Sequence, residues 1–383
     1  MNYLILGAGQ MACAAVYDLL QDSKTVQVTV VDNSEEALRY IMSENNDARL
    51  IMKKSSVENK NEIIPLMKMA KGVLSAVPYT YNLQLSRWAI DSGCSYVDLG
   101  GNNNVVEQQF ALSAKAAEKK VRLIPDCGLA PGMVSVVAAR IAEEMDTINE
   151  LKIRVGGLPV DPKTPLKYML VFSPHGLINE YIEPSIILKK GQRKSVESMT
   201  GLETLYFPPP FGELEAFYTS GGTSTLPLTF EGKIQLLDYK TIRYPGHCAL
   251  MKSMLDLGFA REKQIRFQGK ETSPRELFEA LLRSSLSFKG EDLVLIRVEA
   301  EGLINGIKKI VRYQAIEYGN KKQNLTAMMR TTAFPATIIL KMLVKGQIKQ
   351  HGVLCQEQVV PAKLFMEELK KREINLHREQ KDS

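Results

Sequence analysis

The first residues with recognisable chemistry form a glycine-containing turn near the start of the chain. Residues Gly7–Ala12 read Gly-Ala-Gly-Gln-Met-Ala and directly follow a short apolar run, Tyr3–Leu6. Gly7 permits a tight turn, Gly9 leaves the backbone open to a phosphate, and Ala12 is small enough for a helix to pack on the strand. The turn therefore predicts a dinucleotide-binding site of the Rossmann type.

Residues around this turn indicate which dinucleotide binds. The amides of Gln10 and Met11 begin the helix and are expected to face the pyrophosphate. Asp32 ends the second apolar run, about 20 residues further on, where a carboxylate accepts both ribose hydroxyls of NAD and repels the 2'-phosphate of NADP. No arginine stands in Asn33–Glu36. We therefore expect NAD, with NADP disfavoured. FAD or S-adenosylmethionine binding and a glycine turn without a ligand are the alternatives.

Two further strand ends should lie beside the cofactor, because ligands of open parallel sheets bind at the carboxyl ends of the strands. Asp98 ends the fifth apolar run and either binds substrate or simply stabilises a turn. The backbone positions expected beside the cofactor are Ala76, Val77, Pro78 and Gly100.

These residues need a parallel sheet to position them, and the first third of the chain predicts one. Short apolar runs alternate with helical stretches, which is typical of strands covered by helices. The six predicted strands are Tyr3–Leu6, Val26–Asp32, Arg49–Lys53, Gly72–Val77, Ser95–Leu99 and Val121–Pro125. The fold class is therefore α/β, with a doubly wound Rossmann domain over residues 1–130.

The pattern changes after Pro131, which begins a predicted helix that runs to Met145. Ser273, Pro274 and Glu276 predict another helix start, since serine can cap the helix and the acid can reach back. Residues 131–328 are expected to form a second α+β domain with a largely antiparallel sheet. Residues 329–383, with a helix over Thr331–Lys345, should return to the first domain. The strands predicted here are Leu151–Val155, Tyr168–Phe172, Ile186–Lys189, Leu236–Lys240, Leu293–Ala300 and Ile310–Tyr318.

Composition argues against several classes of protein. Lys and Arg number 49 against 43 Asp and Glu, and no basic stripe precedes the carboxy-terminal tail, so nucleic-acid binding is not expected. The five cysteines are scattered without a Cys-x-x-Cys pair, which predicts neither disulfides nor a metal site. No apolar run approaches the roughly 20 residues of a membrane span, and no signal sequence is seen. A cytoplasmic location is expected.

Six further segments accompany the opening turn: Tyr96–Gly101, Ile124–Met133, Val155–Pro159, Val171–Leu177, Ala216–Ser224 and Lys240–His247. Together these segments resemble the saccharopine dehydrogenase superfamily, and within it the lysine 6-dehydrogenases. The resemblance implies a Rossmann domain completed by carboxy-terminal helices and a sheet domain that holds substrate and mediates homo-oligomerisation. It also implies NAD-dependent oxidation of the terminal amine of L-lysine to 2-aminoadipate 6-semialdehyde, which cyclises.

Such chemistry needs a receptor for the α-carboxylate and an amine whose proton is removed. Arg243 is the expected carboxylate receptor, because a guanidinium can donate two parallel hydrogen bonds; the alternative is a surface strand arginine. His247 positions substrate, carries a proton, or is a structural histidine that caps a helix or makes a buried hydrogen bond. Asp126 either binds or deprotonates the amine or caps the Pro131 helix. Tyr79 is a further catalytic candidate or a packing residue.

The remaining substrate-binding candidates are Tyr244, beside Arg243, and a polar turn that contains Gly222 and Thr223 and is suited to closing over substrate. Two other functions stay open. A saccharopine-type enzyme would act on a secondary amine with extra carboxylates and need more cationic groups, for which Lys240 and Arg330 are candidates. A catalytically silent NAD-binding sensor would retain the fold without turnover.

Overall fold

The computed structural model describes residues 1–287 and 290–382. Its helices are α1 (Gln10–Leu20), α2 (Glu35–Glu44), α3 (Lys60–Met69), α4 (Asn82–Ser92), α5 (Asn103–Phe110), α6 (Ser113–Glu118), α7 (Val134–Glu144), α8 (Pro174–Ile182), α9 (Leu226–Phe230), α10 (His247–Asp256), α11 (Pro274–Leu286), α12 (Ala327–Val344), α13 (Gln356–Val359) and α14 (Ala362–Lys371). Its strands are β1 (Asn2–Leu6), β2 (Gln27–Asp32), β3 (Leu50–Lys54), β4 (Gly72–Ser75), β5 (Ser95–Asp98), β6 (Arg122–Ile124), β7 (Thr147–Pro159), β8 (Ser185–Lys189), β9 (Gln192–Val196), β10 (Glu203–Phe207), β11 (Gly212–Tyr218), β12 (Leu236–Arg243), β13 (Ile265–Phe267), β14 (Lys270–Thr272), β15 (Asp292–Ile304), β16 (Ile307–Tyr318), β17 (Gly352–Val353) and β18 (His377–Asp382).

The first sheet is parallel and has the order β17-β6-β5-β4-β1-β2-β3. The six predicted strands and the Rossmann domain are confirmed. Strands β1 and β4 are almost wholly buried because helices cover both faces of the sheet. The seventh strand, β17, is absent from the predicted set, since two residues carry no periodic signal.

Helix α12 is the core helix that joins the two parts of the chain. It packs against α1 and against β4, where a Cβ on Gly72 would lie 2.7 Å from Leu340. By length and composition alone it could cross a membrane, and 83% of it is buried inside the protein. The sequence pattern predicts only the part from Thr331 onward, because the apolar spacing does not mark the first turn.

The crossover between the domains differs from the prediction. Pro131 does not begin a helix: its ψ of 167° is extended, and regular helix starts only at Val134. Gly132 follows with a φ of +124°, at a place where a Cβ would lie 2.6 Å from the backbone of Cys127. The chain therefore folds back tightly on the end of β6 before α7 begins. The tendency of proline to occupy the first turn of a helix does not predict this reversal.

The second sheet has the order β10-β11-β12-β7-β15-β16-β18, and β8 and β9 join it beside β12. It is mixed, since β12 pairs in parallel with β7 whereas its other neighbours pair antiparallel. Five of the six predicted strands are present. The predicted strand Tyr168–Phe172 is wrong: this segment is irregular, and Tyr168, Met169 and Val171 pack in an apolar cluster with α8, α10 and α11.

The carboxy-terminal segment contributes to both sheets. Strand β17 extends the first sheet as expected of a returning segment, and α14 packs on α7 and α12. Strand β18, however, pairs with β16 at the edge of the second sheet. All six residues of β18 are exposed, so the sequence shows no alternation of apolar and polar residues that would predict a strand.

Helix α11 begins with the predicted capping box, which gives a stability test. The Ser273 hydroxyl accepts the Glu276 amide, and the Glu276 carboxylate accepts the Ser273 amide. Ser273→Ala should lower the free energy of unfolding by about 1 kcal/mol, because it leaves an amide of the first turn without its acceptor. Urea unfolding measures the change. Ser284→Ala, at an exposed position on the same helix, is the matched control and should change stability by less than about 0.5 kcal/mol; equal effects would contradict the assignment.

Candidate active site

The glycine turn has the geometry that a pyrophosphate requires. Gly7 has a φ of +99°, and a Cβ there would lie 2.7 Å from the carbonyl oxygen of Ala76. Nothing lies within 4 Å of a Cβ placed on Gly9, so the space above that residue is open. Helix α1 starts there with no side-chain cap and no acid in its first turn. Its free amides, at Gln10 and Met11, therefore suit an anionic ligand.

The Asp32 carboxylate joins the turn to the end of β2. One oxygen accepts the Ala8 amide at 2.8 Å, and the other accepts the Ser34 amide at 2.7 Å. The side chain is partly exposed and its neighbour Asn33 is exposed. A carboxylate oxygen can accept a second hydrogen bond, so Asp32 can hold the turn and still accept ribose hydroxyls.

Asp32→Ala should weaken NAD binding roughly tenfold or more, because charged hydrogen bonds contribute about 1.5–3 kcal/mol each. NADP binding should weaken less or improve, since the repulsion of its 2'-phosphate is removed. Calorimetric titration with each dinucleotide measures both effects. Asp32→Asn is the control, because its amide oxygen can still accept one backbone amide. Equal losses for NAD and NADP in Asp32→Ala would mean that Asp32 acts only by holding the turn.

The ends of β4 and β5 meet the second domain at helix α8. Ala76 and Val77 lie against Gly7, and Tyr79, after the exposed Pro78, packs over Gly101 next to Gly100. The Tyr79 hydroxyl accepts the Asn179 side-chain amide at 2.8 Å. Asn102 donates to Glu183 at the end of the same helix. Helix α8 of the second domain therefore contacts the edge of the first sheet at which the cofactor is expected.

Asp98 does not face substrate. It is fully buried, and its carboxylate accepts the amides of Gly100 and Asp126, both at 2.9 Å, and the side-chain amide of Gln109 at 2.7 Å. Burial raises its pKa to about 6, against the lowering effect of these donors. Asp98 therefore holds the ends of β5 and β6 together. Of the two roles predicted from the sequence, these contacts agree with stabilisation of a turn and not with substrate binding.

Asp126 links the two domains. It has a φ of +61°, and its Oδ2 accepts the hydroxyl of Ser224, a residue of the second domain, at 2.5 Å. Its Oδ1 is buried without a hydrogen-bond partner among the described residues. A Cβ placed on Gly100 would lie only 1.7 Å from this oxygen. Burial, and next the charge of Asp98, raise the pKa of Asp126 to about 7. Asp126 does not cap a helix, and its carboxylate joins the end of β6 to the Ser224 loop.

Arg243, at the end of β12, is a buried guanidinium without an acidic partner among the described residues. Its Nε donates to the Tyr181 hydroxyl at 2.9 Å and its Nη1 to the carbonyl of Ile242. The guanidinium carbon lies 4.7 Å from the centre of the Tyr168 ring. These contacts leave the Nη2 hydrogens free, so the group is oriented and able to bind a ligand carboxylate.

His247 is a positioning residue and not a proton carrier at neutral pH. It is 1% exposed; its Nδ1 lies 2.8 Å from the Leu166 carbonyl, and its Nε2 lies 3.0 Å from the Tyr181 hydroxyl. The carbonyl can only accept, so Nδ1 carries the proton and Nε2 accepts from Tyr181. Burial, and next the charge of Arg243, lower the pKa of His247 to about 3. The ring therefore orients Tyr181, which in turn orients Arg243.

Three other substrate-binding candidates have structural contacts. The Tyr244 hydroxyl donates to the carbonyl of Pro159, and its ring packs in a cluster separate from the one that contains Tyr168 and Tyr181. The buried Thr223 donates to the carbonyl of Ile186. Gly222 packs so closely on the Tyr239 ring that a Cβ would lie 2.2 Å from it. Both residues are therefore packed into the second domain, which agrees with the ordinary-loop alternative and not with a turn that closes over substrate.

Two functional candidates were missed from the sequence. Ser224 has a φ of +45°, which no local pattern indicates, and only the folded chain brings it to Asp126. Glu180 lies on α8 next to Tyr181, and its carboxylate has neither a hydrogen bond nor an ion pair among the described residues. Its position in the sequence could have indicated it, because Glu180 lies one residue before Tyr181 and a few residues after the Val171–Leu177 segment.

The cysteines show no sign of reactivity or metal binding. Cys127 is fully buried beside Asp126, and burial raises its pKa well above the ordinary value, so it is not a nucleophile near neutral pH. Across residues 1–287 and 290–382, no three His, Cys, Asp or Glu side chains are grouped as metal ligands.

Family models match almost the whole chain. The saccharopine dehydrogenase NADP binding domain matches residues 3–124, and the saccharopine dehydrogenase C-terminal domain matches residues 128–374. The first of these models carries NADP in its name, which supports a nicotinamide dinucleotide as the cofactor.

The names of similar curated proteins describe enzymes of amine and amino-acid metabolism. The chain is 19% identical to the mitochondrial alpha-aminoadipic semialdehyde synthase of Rattus norvegicus, over 92% of this chain and 45% of that protein. It is 21% identical to the L-glutamate-forming, NADP-dependent saccharopine dehydrogenase of Saccharomyces cerevisiae, over 76% and 66%. It is 23% identical to the carboxynorspermidine synthase of Vibrio cholerae, over 94% and 93%. The chain spans about half the length of the first of these relatives.

Solved structures share the fold. The apo L-glutamate-forming saccharopine dehydrogenase of Saccharomyces cerevisiae has a TM-score of 0.81 at 18% identity and covers 99% of both chains. The homospermidine synthase of Legionella pneumophila, solved in complex with NAD, has a TM-score of 0.69 at 12% identity, over 100% of this chain and 92% of that one. With both domains matched by their models, the chain belongs to the saccharopine dehydrogenase family of NAD(P)-binding oxidoreductases.

Proposed function

We propose that this protein oxidises the terminal amine of L-lysine with NAD, giving 2-aminoadipate 6-semialdehyde, which cyclises. The observation that carries the proposal is the buried, oriented guanidinium of Arg243, which has no acidic partner among the described residues. An amino-acid substrate would place its α-carboxylate there. Helix α8, which contacts both Arg243 and the cofactor edge, would then direct the side chain toward the ends of β4 and β5.

The two further cations considered from the sequence have other partners, which fits a substrate with one carboxylate. Lys240 pairs with Glu203 at 2.6 Å, and Arg330 donates to three backbone carbonyls, those of Tyr318, Arg372 and Glu373. Neither is therefore available as the extra carboxylate receptor considered from the sequence. This favours lysine over a conjugate with several carboxylates.

The chemistry divides between the cofactor and the chain. Bound NAD would accept the hydride from the carbon that bears the amine. The chain would hold the carboxylate at Arg243, and the Ser224 hydroxyl would pass the amine proton to the Asp126 carboxylate. The carbon loses a hydride and the nitrogen a proton, which gives an iminium ion. Water then adds to the carbon and ammonia leaves, giving the aldehyde.

The test is a comparison of substrates with both dinucleotides. Purified protein with NAD should produce reduced nicotinamide steadily from L-lysine, with a cyclic product and one ammonia per turnover. Cadaverine, which lacks the carboxylate, and saccharopine are the comparison substrates. Turnover of saccharopine without turnover of lysine would overturn the proposal.

The second candidate is a saccharopine-type dehydrogenase that forms or cleaves a secondary amine. Its support is the similarity to saccharopine dehydrogenase and carboxynorspermidine synthase. It predicts oxidation of saccharopine, or reductive condensation of an aldehyde with an amine in the presence of the reduced dinucleotide. If NAD binds and no amine is turned over, the sensor hypothesis is favoured.

A further inference from the structure

Glu180 is an acid that the fold leaves unpaired beside an unpaired cation. It is partly exposed on α8, and its carboxylate has no hydrogen bond or ion pair within residues 1–287 and 290–382. Its backbone carbonyl accepts the Ser220 amide at 2.9 Å. That bond fixes α8 to the loop that carries Gly222 and Ser224, so Glu180 has a defined place in the cleft.

Glu180 and Arg243 belong to one cluster of side chains, because Glu180 precedes Tyr181 on α8 and the Tyr181 hydroxyl accepts the Arg243 Nε at 2.9 Å. The charge of Glu180 acts on Arg243 and on three tyrosines, Tyr168, Tyr181 and Tyr239. The rings of Tyr168 and Tyr181 lie 4.7 and 5.8 Å from the guanidinium carbon. The Tyr239 ring packs against Gly222. The cluster therefore combines aromatic rings with two opposite charges that form no direct ion pair with each other.

An unpaired buried cation beside an unpaired acid is costly unless a ligand compensates both charges. A free α-amino acid carries a carboxylate and an ammonium on one carbon, with charges opposite to those of Arg243 and Glu180. A carboxylic acid without the α-amine would satisfy only Arg243, and an amine without the carboxylate would satisfy only Glu180. The two charged groups thus match the zwitterionic end of an α-amino acid.

We propose that Glu180 binds the α-ammonium group of the substrate while Arg243 binds its α-carboxylate. The site then selects free α-amino acids over ω-amino acids and diamines. This inference rests on the proposed function for its placement of substrate, and it names the class of substrate that these two residues bind.

The test uses ligands that cannot be oxidised at a terminal amine. Calorimetric titration of the NAD-loaded protein should show L-norleucine, a zwitterion, binding about tenfold or more tighter than hexanoate, which has the carboxylate alone. Glu180→Gln should abolish this preference and leave hexanoate binding unchanged. Glu180→Asp, which keeps a shorter carboxylate, should retain part of it. Glu213→Gln, at an exposed position on β11, is the matched control and should retain all of it.

Equal binding of norleucine and hexanoate by the unmodified protein would overturn the inference. So would an equal weakening of both ligands in Glu180→Gln, because a residue that only supports the wall affects both. Turnover separates the inference from the proposed function. If lysine is oxidised and Glu180→Gln leaves its KM unchanged, the function stands and the role of Glu180 is wrong. If lysine is not oxidised while the norleucine preference depends on Glu180, the role stands and lysine oxidation is wrong.

Discussion

Arg243→Met should lower kcat/KM for L-lysine by about 10²–10³-fold. Loss of one partner from a buried charge pair costs about 2–5 kcal/mol, because the carboxylate is left without a partner in a site shielded from water. Methionine keeps much of the length and apolar contact of the arginine stem, so packing on Tyr168 is largely preserved. Initial rates over a range of lysine concentrations measure the effect.

Cadaverine provides the control for Arg243→Met, since it lacks the carboxylate and its rate should be unaffected. Arg243→Lys should recover only part of the activity, because a lysine ammonium cannot donate the parallel pair of hydrogen bonds. Full activity of Arg243→Met on lysine would place the carboxylate receptor elsewhere. Equal losses for lysine and cadaverine would show that Arg243 supports the fold of the cleft.

Asp126→Asn should lower kcat by about 10²–10⁴-fold, the usual contribution of a positioned proton acceptor. The pH dependence gives a sharper readout. A carboxyl accepts a proton only when ionised, and the pKa of Asp126 is raised to about 7, first by burial and next by the charge of Asp98. In the unmodified protein kcat should therefore rise as the pH increases through about 7. The side-chain amide of the variant cannot titrate in this range, so this rise should be absent from Asp126→Asn.

Ser224→Ala separates the proton route from the interdomain contact. It removes the hydroxyl that reaches Asp126 and leaves the carboxyl able to titrate, so kcat should fall while Asp126 remains in place. NAD binding, which should stay near that of the unmodified protein, shows that the cofactor half of the site is intact. Retention of both the full kcat and the pH dependence by Asp126→Asn would exclude this carboxyl as the proton acceptor.

The cofactor half of the site could be predicted because its chemistry depends on local backbone geometry. Gly7, Gly9 and Asp32 work through a tight turn, an open approach and a strand end, all within one βαβ unit. Arg243 was found through a segment similar to known proteins and not through periodicity. The strand predicted at Tyr168 was wrong because the apolar residues of this segment pack against helices. A short apolar run looks the same in the sequence whether it forms a strand or packs as an irregular segment.

The sequence by itself determined the Rossmann domain, its binding turn and the residue types at the strand ends, since each follows from neighbours a few positions apart. Only the tertiary structure decided which of those side chains face the cleft. It buried Asp98 under three donors, turned Tyr244 to another cluster and made His247 a support for Tyr181. It also brought Ser224 to Asp126 and Glu180 beside Arg243. These pairings join residues distant along the chain, and they depend on how α8 and the loop before α9 pack between the two sheets.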